Sequence, residues 1–142
     1  MGPSDRSVPA QPPRLVVLEI ARLRCHEKVQ PDLLARTIDR IRRDGKLRKP
    51  ILVADRDFVI LDGHHRYEAL RAIGCSRIPA YVVDYFSDIV EVSTWPGAVV
   101  REVTKEEVIR RGLAGPPFPP KTSRHTVRAA LQDSPMDLKA LM

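Results

Sequence analysis

Asp62-Gly63-His64-His65-Arg66 lies between two segments of opposite periodicity and constrains the chain more than any other stretch. Before it, Phe58-Val59-Ile60-Leu61 is an unbroken apolar run that reads as a buried strand. After it, Tyr67-Glu68-Ala69-Leu70-Arg71-Ala72-Ile73 carries apolar residues at helical spacing and stops at Gly74. A glycine between strand and helix turns the backbone tightly and allows a ligand to approach it closely. The first N–H groups of the new helix have no partners within it, and the helix dipole adds positive potential there. Two histidines and an arginine at the same place add donors and charge. Cations at a helix N-terminus oppose the dipole, so a plain cap explains them poorly and an anion such as phosphate explains them well. The plain alternative is a helix start capped by Asp62.

The chain has 142 residues, the length of one domain with a modest core. No apolar run reaches the length of a bilayer span, and the Ser/Pro/Gln-rich start lacks the apolar stretch of a secretory signal. Cys25 and Cys75 are too few for a disulfide framework or a zinc site, so no metal ligands are assigned and a cytoplasmic protein with reduced thiols is expected. A net charge of +6, mostly arginine and spread along the chain, permits nucleic-acid binding. No helix-turn-helix or stacking motif accompanies it, and steering of anionic metabolites explains it as well.

Residues 1–14 carry four prolines and read as a disordered arm. Strands are expected over residues 15–20, 50–54, 58–61, 78–84, 89–93 and, as a short piece, 98–100. Pro31-Asp32 opens a helix with Leu33, Leu34, Thr37, Ile38 and Ile41 on one face, closed by Asp44-Gly45. A helix from about residue 64 to 73 follows the glycine turn. Thr104 and Glu107 have the spacing of a capping box, and the helix they open is expected to stop near Gly112. Gly115-Pro116-Pro117-Phe118-Pro119-Pro120 cannot be helical and reads as a stiff ordered loop or a linker. Residues 132–142 read as a tail beyond a domain covering 15–131. The sum is a small α+β domain around a sheet of four or five strands.

The four histidines fall into just three short polar segments, around Cys25-His26-Glu27, in the glycine turn, and in Lys121-Thr122-Ser123-Arg124-His125. All three lie outside the middle of periodic elements, which predicts three loops converging on one site. Backbone amides near Gly63, His64 and His65, with Arg66 behind them, would hold nucleotide phosphates. Lys121, Thr122, Ser123 and Arg124 offer a cation, two hydroxyls and a guanidinium for a second anion. Glu27 is the candidate general base, and Asp62 is placed to cap the helix or approach a phosphate-bound magnesium ion.

These segments, in this order, resemble the free L-serine kinases of the ParB/sulfiredoxin superfamily over roughly residues 15–125. The marks are Leu61-Asp62-Gly63-His64-His65-Arg66, the Gly74-Cys75 turn before Ile78-Pro79-Ala80, and Phe118-Pro119-Pro120-Lys121-Thr122-Ser123-Arg124-His125. The resemblance implies a ParB/sulfiredoxin-like single domain, a small mixed sheet flanked by helices. It implies transfer of the terminal phosphoryl group of ADP or ATP, with nucleotide-bound Mg2+, to free L-serine. Glu27 would then be the catalytic base and Asp62 a catalytic or magnesium-associated aspartate. Gly63, His64, His65, Arg66, Lys121 and Thr122 would hold the nucleotide. Trp95, Ser123, Arg124 and His125 would hold the serine. The family members carry extra residues between the tryptophan and the Lys-Thr-Ser/Thr-Arg-His segment, which this chain lacks. The alternative is a ParB-like nucleotide-binding module that binds DNA or regulates transcription, although no helix-turn-helix fits after His125. Sulfiredoxin chemistry needs a cysteine where His64 stands. Either a monomer or a homodimer is compatible with these features.

Overall fold

The computed structural model describes residues 10–142. The proposed N-terminal arm therefore lies mostly outside the described residues, and Arg14 begins the first strand. β1 (Arg14–Glu19), β3 (Ile51–Ala54), β4 (Ile60–Asp62) and β5 (Arg77–Val83) form a four-stranded sheet in the order β1-β5-β3-β4. β3 runs parallel to β5, and the other two pairings are antiparallel. The expected small mixed sheet is what the chain builds.

Every residue of β3 is buried because both of its faces are covered. Ile51 and Val53 join a cluster with Ile41 of α1 (Pro31–Asp44) and Tyr67 and Leu70 of α2 (His64–Ile73). Leu52 and Ala54 join the opposite cluster, with Tyr85, Phe118 and Val108 of α3 (Lys105–Ala114). The strand's period of two thus feeds two cores.

α1 starts at Pro31, whose missing N–H costs nothing at a first helical position, and ends on Gly45 in the left-handed region. α3 is capped as its sequence indicates, Thr104 Oγ1 accepting the Glu107 N–H at 3.1 Å. It runs past Gly112 to Ala114, however. A Cβ at position 112 would lie 2.7 Å from Val59 Cγ2, so that glycine permits close packing on the sheet rather than ending the helix.

Three further expectations are corrected. Residues 98–100 are irregular, with bends at 99 and 100, and not a strand. Lys121-Thr122-Ser123-Arg124-His125 is only partly a loop, since β7 (Ser123–Val127) pairs antiparallel with β6 (Val90–Thr94). Residues 132–142 are more than a tail: β8 (Met136–Asp137) pairs with β2 (Lys46–Leu47), and α4 (Leu138–Leu141) buries Leu141 completely in the first core. Its carbonyl accepts the Ser76 N–H at 2.8 Å. No helix among the described residues is long and apolar enough to cross a membrane.

The β4–α2 junction depends on Gly63, which has φ 107°. A Cβ there would run into the Ile51 side chain and lie 2.9 Å from Arg66 Nη2. Gly63→Ala is expected to cost roughly 2–4 kcal/mol through backbone strain and overpacking. Thermal unfolding followed by circular dichroism should show a fall in Tm of roughly 8 °C.

Candidate active site

The Pro-rich stretch before β7 places Glu27. Phe118 is fully buried, with the Arg111 guanidinium 3.9 Å above its ring. Its N–H donates to the His26 carbonyl at 2.8 Å, and its carbonyl accepts the Lys28 N–H at 2.8 Å. This two-bond bridge clamps the early and late segments on either side of Glu27. Lys121 then adopts φ 60°, a left-handed turn that points successive N–H groups one way.

Those N–H groups converge on the Glu27 carboxylate. Oε2 accepts from the Lys121 amide at 3.2 Å, and Oε1 accepts from the Thr122 and Ser123 amides at 3.2 and 2.8 Å. The Ser123 hydroxyl lies 3.0 Å from Oε1. Burial pushes the carboxyl pKa above its ordinary value, and the hydrogen bonds from Ser123, Thr122 and Lys121 partly offset it. Glu27 is therefore held rigidly and ionises less readily than a surface glutamate.

Glu27 faces a cavity of about 210 Å³ whose other walls include Gly63, His64, His65 and Arg66 at the start of α2. Trp95, Lys121 and Ser123 complete its opposite side. The predicted convergence of three distant segments is observed. No side chain caps α2, so Asp62 is not an N-cap; Gly63 holds that position, and the Asp62 carboxylate is largely exposed, 3.7 Å from Arg66.

The histidines divide differently from the sequence expectation. Buried His26 and His64 and half-buried His125 form a knot, with ring centroids 4.7 Å (His26–His64) and 5.8 Å (His26–His125) apart. His64 Nε2 accepts the His26 backbone N–H at 3.3 Å, and His125 Nε2 meets the Tyr85 hydroxyl at 2.9 Å. Burial lowers all three pKa values, His26 to about 4 and His125 to about 3, and their mutual proximity lowers those of His64 and His125 further. They are neutral near pH 7 and supply no positive charge. His65 is partly exposed, its Nε2 accepting the Gln30 N–H at the start of α1.

β7 separates its residues by alternation. Ser123 and His125 point inward, while Arg124 is exposed and stacks 4.7 Å from the Trp95 ring. Trp95 Nε1–H donates to the Ser123 carbonyl at 2.9 Å. The Thr122 hydroxyl donates to Pro119 O at 2.7 Å, so it closes a turn and faces no ligand. One wall was missed: Leu33, Thr37 and Arg40 of α1 line the same cavity. Their i, i+4, i+7 spacing was visible, but it reads as the edge of a core-facing stripe.

Comparison with known proteins places this arrangement. No protein-family profile matches the chain. It is 34% identical over 113 residues to an ATP-dependent L-serine kinase of Desulfurococcus mucosus. It is 32% identical over 108 residues to the ADP-dependent L-serine kinase SerK of Thermococcus kodakarensis. The chain is a homologue of the free L-serine kinases. These matches take in 75% and 73% of the chain but only 44% of each relative's length. The structure of a free serine kinase in complex with AMP superimposes with a TM-score of 0.82, covering 95% of this chain and 96% of that one at 20% identity. The fold is thus shared with a free serine kinase across nearly its whole length.

Removing the Glu27 carboxylate leaves three backbone donors without an acceptor. Glu27→Ala is expected to destabilise the protein by about 1–3 kcal/mol. Hydrogen exchange at the Thr122 and Ser123 amides should accelerate relative to the β3 amides if the carboxylate holds that turn.

Proposed function

We propose that this chain is a free L-serine kinase, moving the terminal phosphoryl group of ADP or ATP to the serine hydroxyl to give O-phospho-L-serine. The observation that carries the reading is the Glu27 carboxylate, fixed by the Lys121, Thr122 and Ser123 amides on the cavity that holds the uncapped start of α2. A rigid base and an anion-binding helix terminus sharing one hollow are what a phosphoryl transfer to an alcohol needs.

Phosphate oxygens would lie against the amides of His64 and His65, with Arg66, Arg40 and Lys121 supplying charge. Arg66 Nε is buried with no hydrogen-bond partner, leaving a donor free for an anion. A second hollow of about 540 Å³ shares Asp62, Arg66, Trp95 and Ser123 with the first. The two together offer the several hundred Å³ a nucleotide requires. Arg124 and Trp95 flank the position from which the serine carboxylate and hydroxyl would approach Glu27. Among the described residues no group of three or more His, Cys, Asp or Glu could cage a metal ion. Asp62, which lines the same cavity, would hold phosphate-bound magnesium, whose charge offsets that of the phosphates.

Glu27 acts when ionised, and its pKa is raised, so the rate should rise with pH through a midpoint above that of a free glutamate. The test is incubation with Mg2+, ADP or ATP and a panel of amino acids, with mass detection of phosphorylated product. Phosphoserine formation that falls at least ~100-fold in Glu27→Gln, with nucleotide binding retained, supports the reading. Tight, salt-sensitive duplex binding with no nucleotide-dependent product would replace it with a DNA-binding module.

A further inference from the structure

His26 is fully buried and none of the chemistry above uses it. Its Nδ1 lies 2.7 Å from the Ile60 carbonyl, which can only accept, so Nδ1 carries the hydrogen. Its Nε2 lies 2.8 Å from Ser123 Oγ, and that same Oγ lies 3.0 Å from Glu27 Oε1. A neutral imidazole protonated at Nδ1 has a bare Nε2, which needs a donor. With Glu27 ionised, one hydroxyl hydrogen thus faces two acceptors.

We propose that His26 is a positioning residue for Glu27, acting through Ser123. In the ionised state the Ser123 hydroxyl donates to Glu27 Oε1 and leaves His26 Nε2 without a hydrogen; a proton taken up by Glu27 frees the hydroxyl to turn to Nε2 and completes the chain Glu27–Ser123–His26. The ionised chain holds one hydrogen for two contacts. Protonation fills the second contact, Glu27 donating to Oγ and Oγ donating to Nε2. The three residues therefore favour proton uptake by the carboxyl group, the property a general base needs. The buried environment that lowers the His26 pKa to about 4 keeps Nε2 unprotonated and competing for the hydroxyl.

This inference rests on the kinase reading for its consequence, though not for its geometry. In the transfer the serine O–H bond breaks and the oxygen bonds to phosphorus. The phosphorus–oxygen bond to the nucleotide breaks, and the nucleotide leaves with that electron pair. The proton passes to Glu27 and returns to solvent after product release. Of the other titratable groups, His64 and His125 pack on His26 and are neutral. Across the cavity, Asp62, His65, Arg66 and Arg40 face Glu27, with Lys121 beside it. All of these are kept in the variants below, so they shift every titration alike.

The experiment is a carbon-13 NMR titration of the Glu27 carboxyl group in the full chain, in His26→Asn and in Ser123→Ala. Asparagine can keep a donor for Ile60 O but places no acceptor at the Nε2 position. With no unfilled acceptor left in the ionised state, the Glu27 midpoint in His26→Asn should fall by about one pH unit. In Ser123→Ala the link is cut, so adding His26→Asn to that variant should leave its midpoint unchanged. A His26→Asn midpoint equal to or above the parent's, or an equal fall with and without the Ser123 hydroxyl, overturns the proposal. Should His26→Asn fail to fold, the nitrogen-15 signal of His26 Nε2 in the parent decides: it should move to a hydrogen-bonded position with the Glu27 midpoint, and a signal that does not follow Glu27 overturns the proposal. Because the titration needs no turnover, a chain that makes no phosphoserine yet shows the Ser123-dependent fall refutes the kinase reading and keeps the coupling.

Discussion

One carboxylate held by successive backbone amides ties this domain's function to its fold. Glu27 and the Lys121, Thr122 and Ser123 amides stand more than ninety positions apart, and their hydrogen bonds seat the late segment against the early loop. The interaction serves both sides. The amides lose their need for water, and the carboxylate gains a fixed direction that a solvated glutamate lacks. The Phe118 bridge supplies the apolar anchor that makes so polar a contact reproducible. Without it the ordering entropy of a Pro-rich loop would oppose the bonds.

A second consequence is electrostatic. The chain is rich in arginine, yet the histidines that suggested a cationic site are mostly neutral and buried. Positive potential in the cavity comes from the start of α2 and from Arg66, Arg40 and Lys121. The histidine knot packs behind Glu27 instead, His26 Nε2 lying against the Ser123 hydroxyl and His64 Nε2 accepting the His26 amide. Charge and positioning are thus divided between different residues.

Much of this was legible in the sequence. The apolar run ending at Leu61, the glycine and the periodic residues to Ile73 specify the β4–α2 junction locally, and the junction forms as read. Thr104 and Glu107 likewise specify the start of α3. What failed depended on tertiary partners. Gly112 looks like a stop signal unless Val59 is known to lie against it. Ser123 to Val127 looks like a loop because its strand partner, residues 90–94, lies across a long connection. The inward direction of His64 and His125 depends on helix and strand phase, which motif spacing does not reveal. Arg40 escaped notice because α1 presents one stripe to both the core and the cavity.

The reading proposed above puts one nucleotide against both the start of α2 and Lys121, beside the Glu27 carboxylate. Amide-resolved NMR with Mg2+ and a non-hydrolysable nucleotide tests it most directly. The account predicts that signals of Gly63, His64, His65 and Arg66 shift together with those of Lys121, Thr122 and Ser123, at the same saturation point. Shifts confined to one of these segments, or to the basic face of α1 alone, would contradict it.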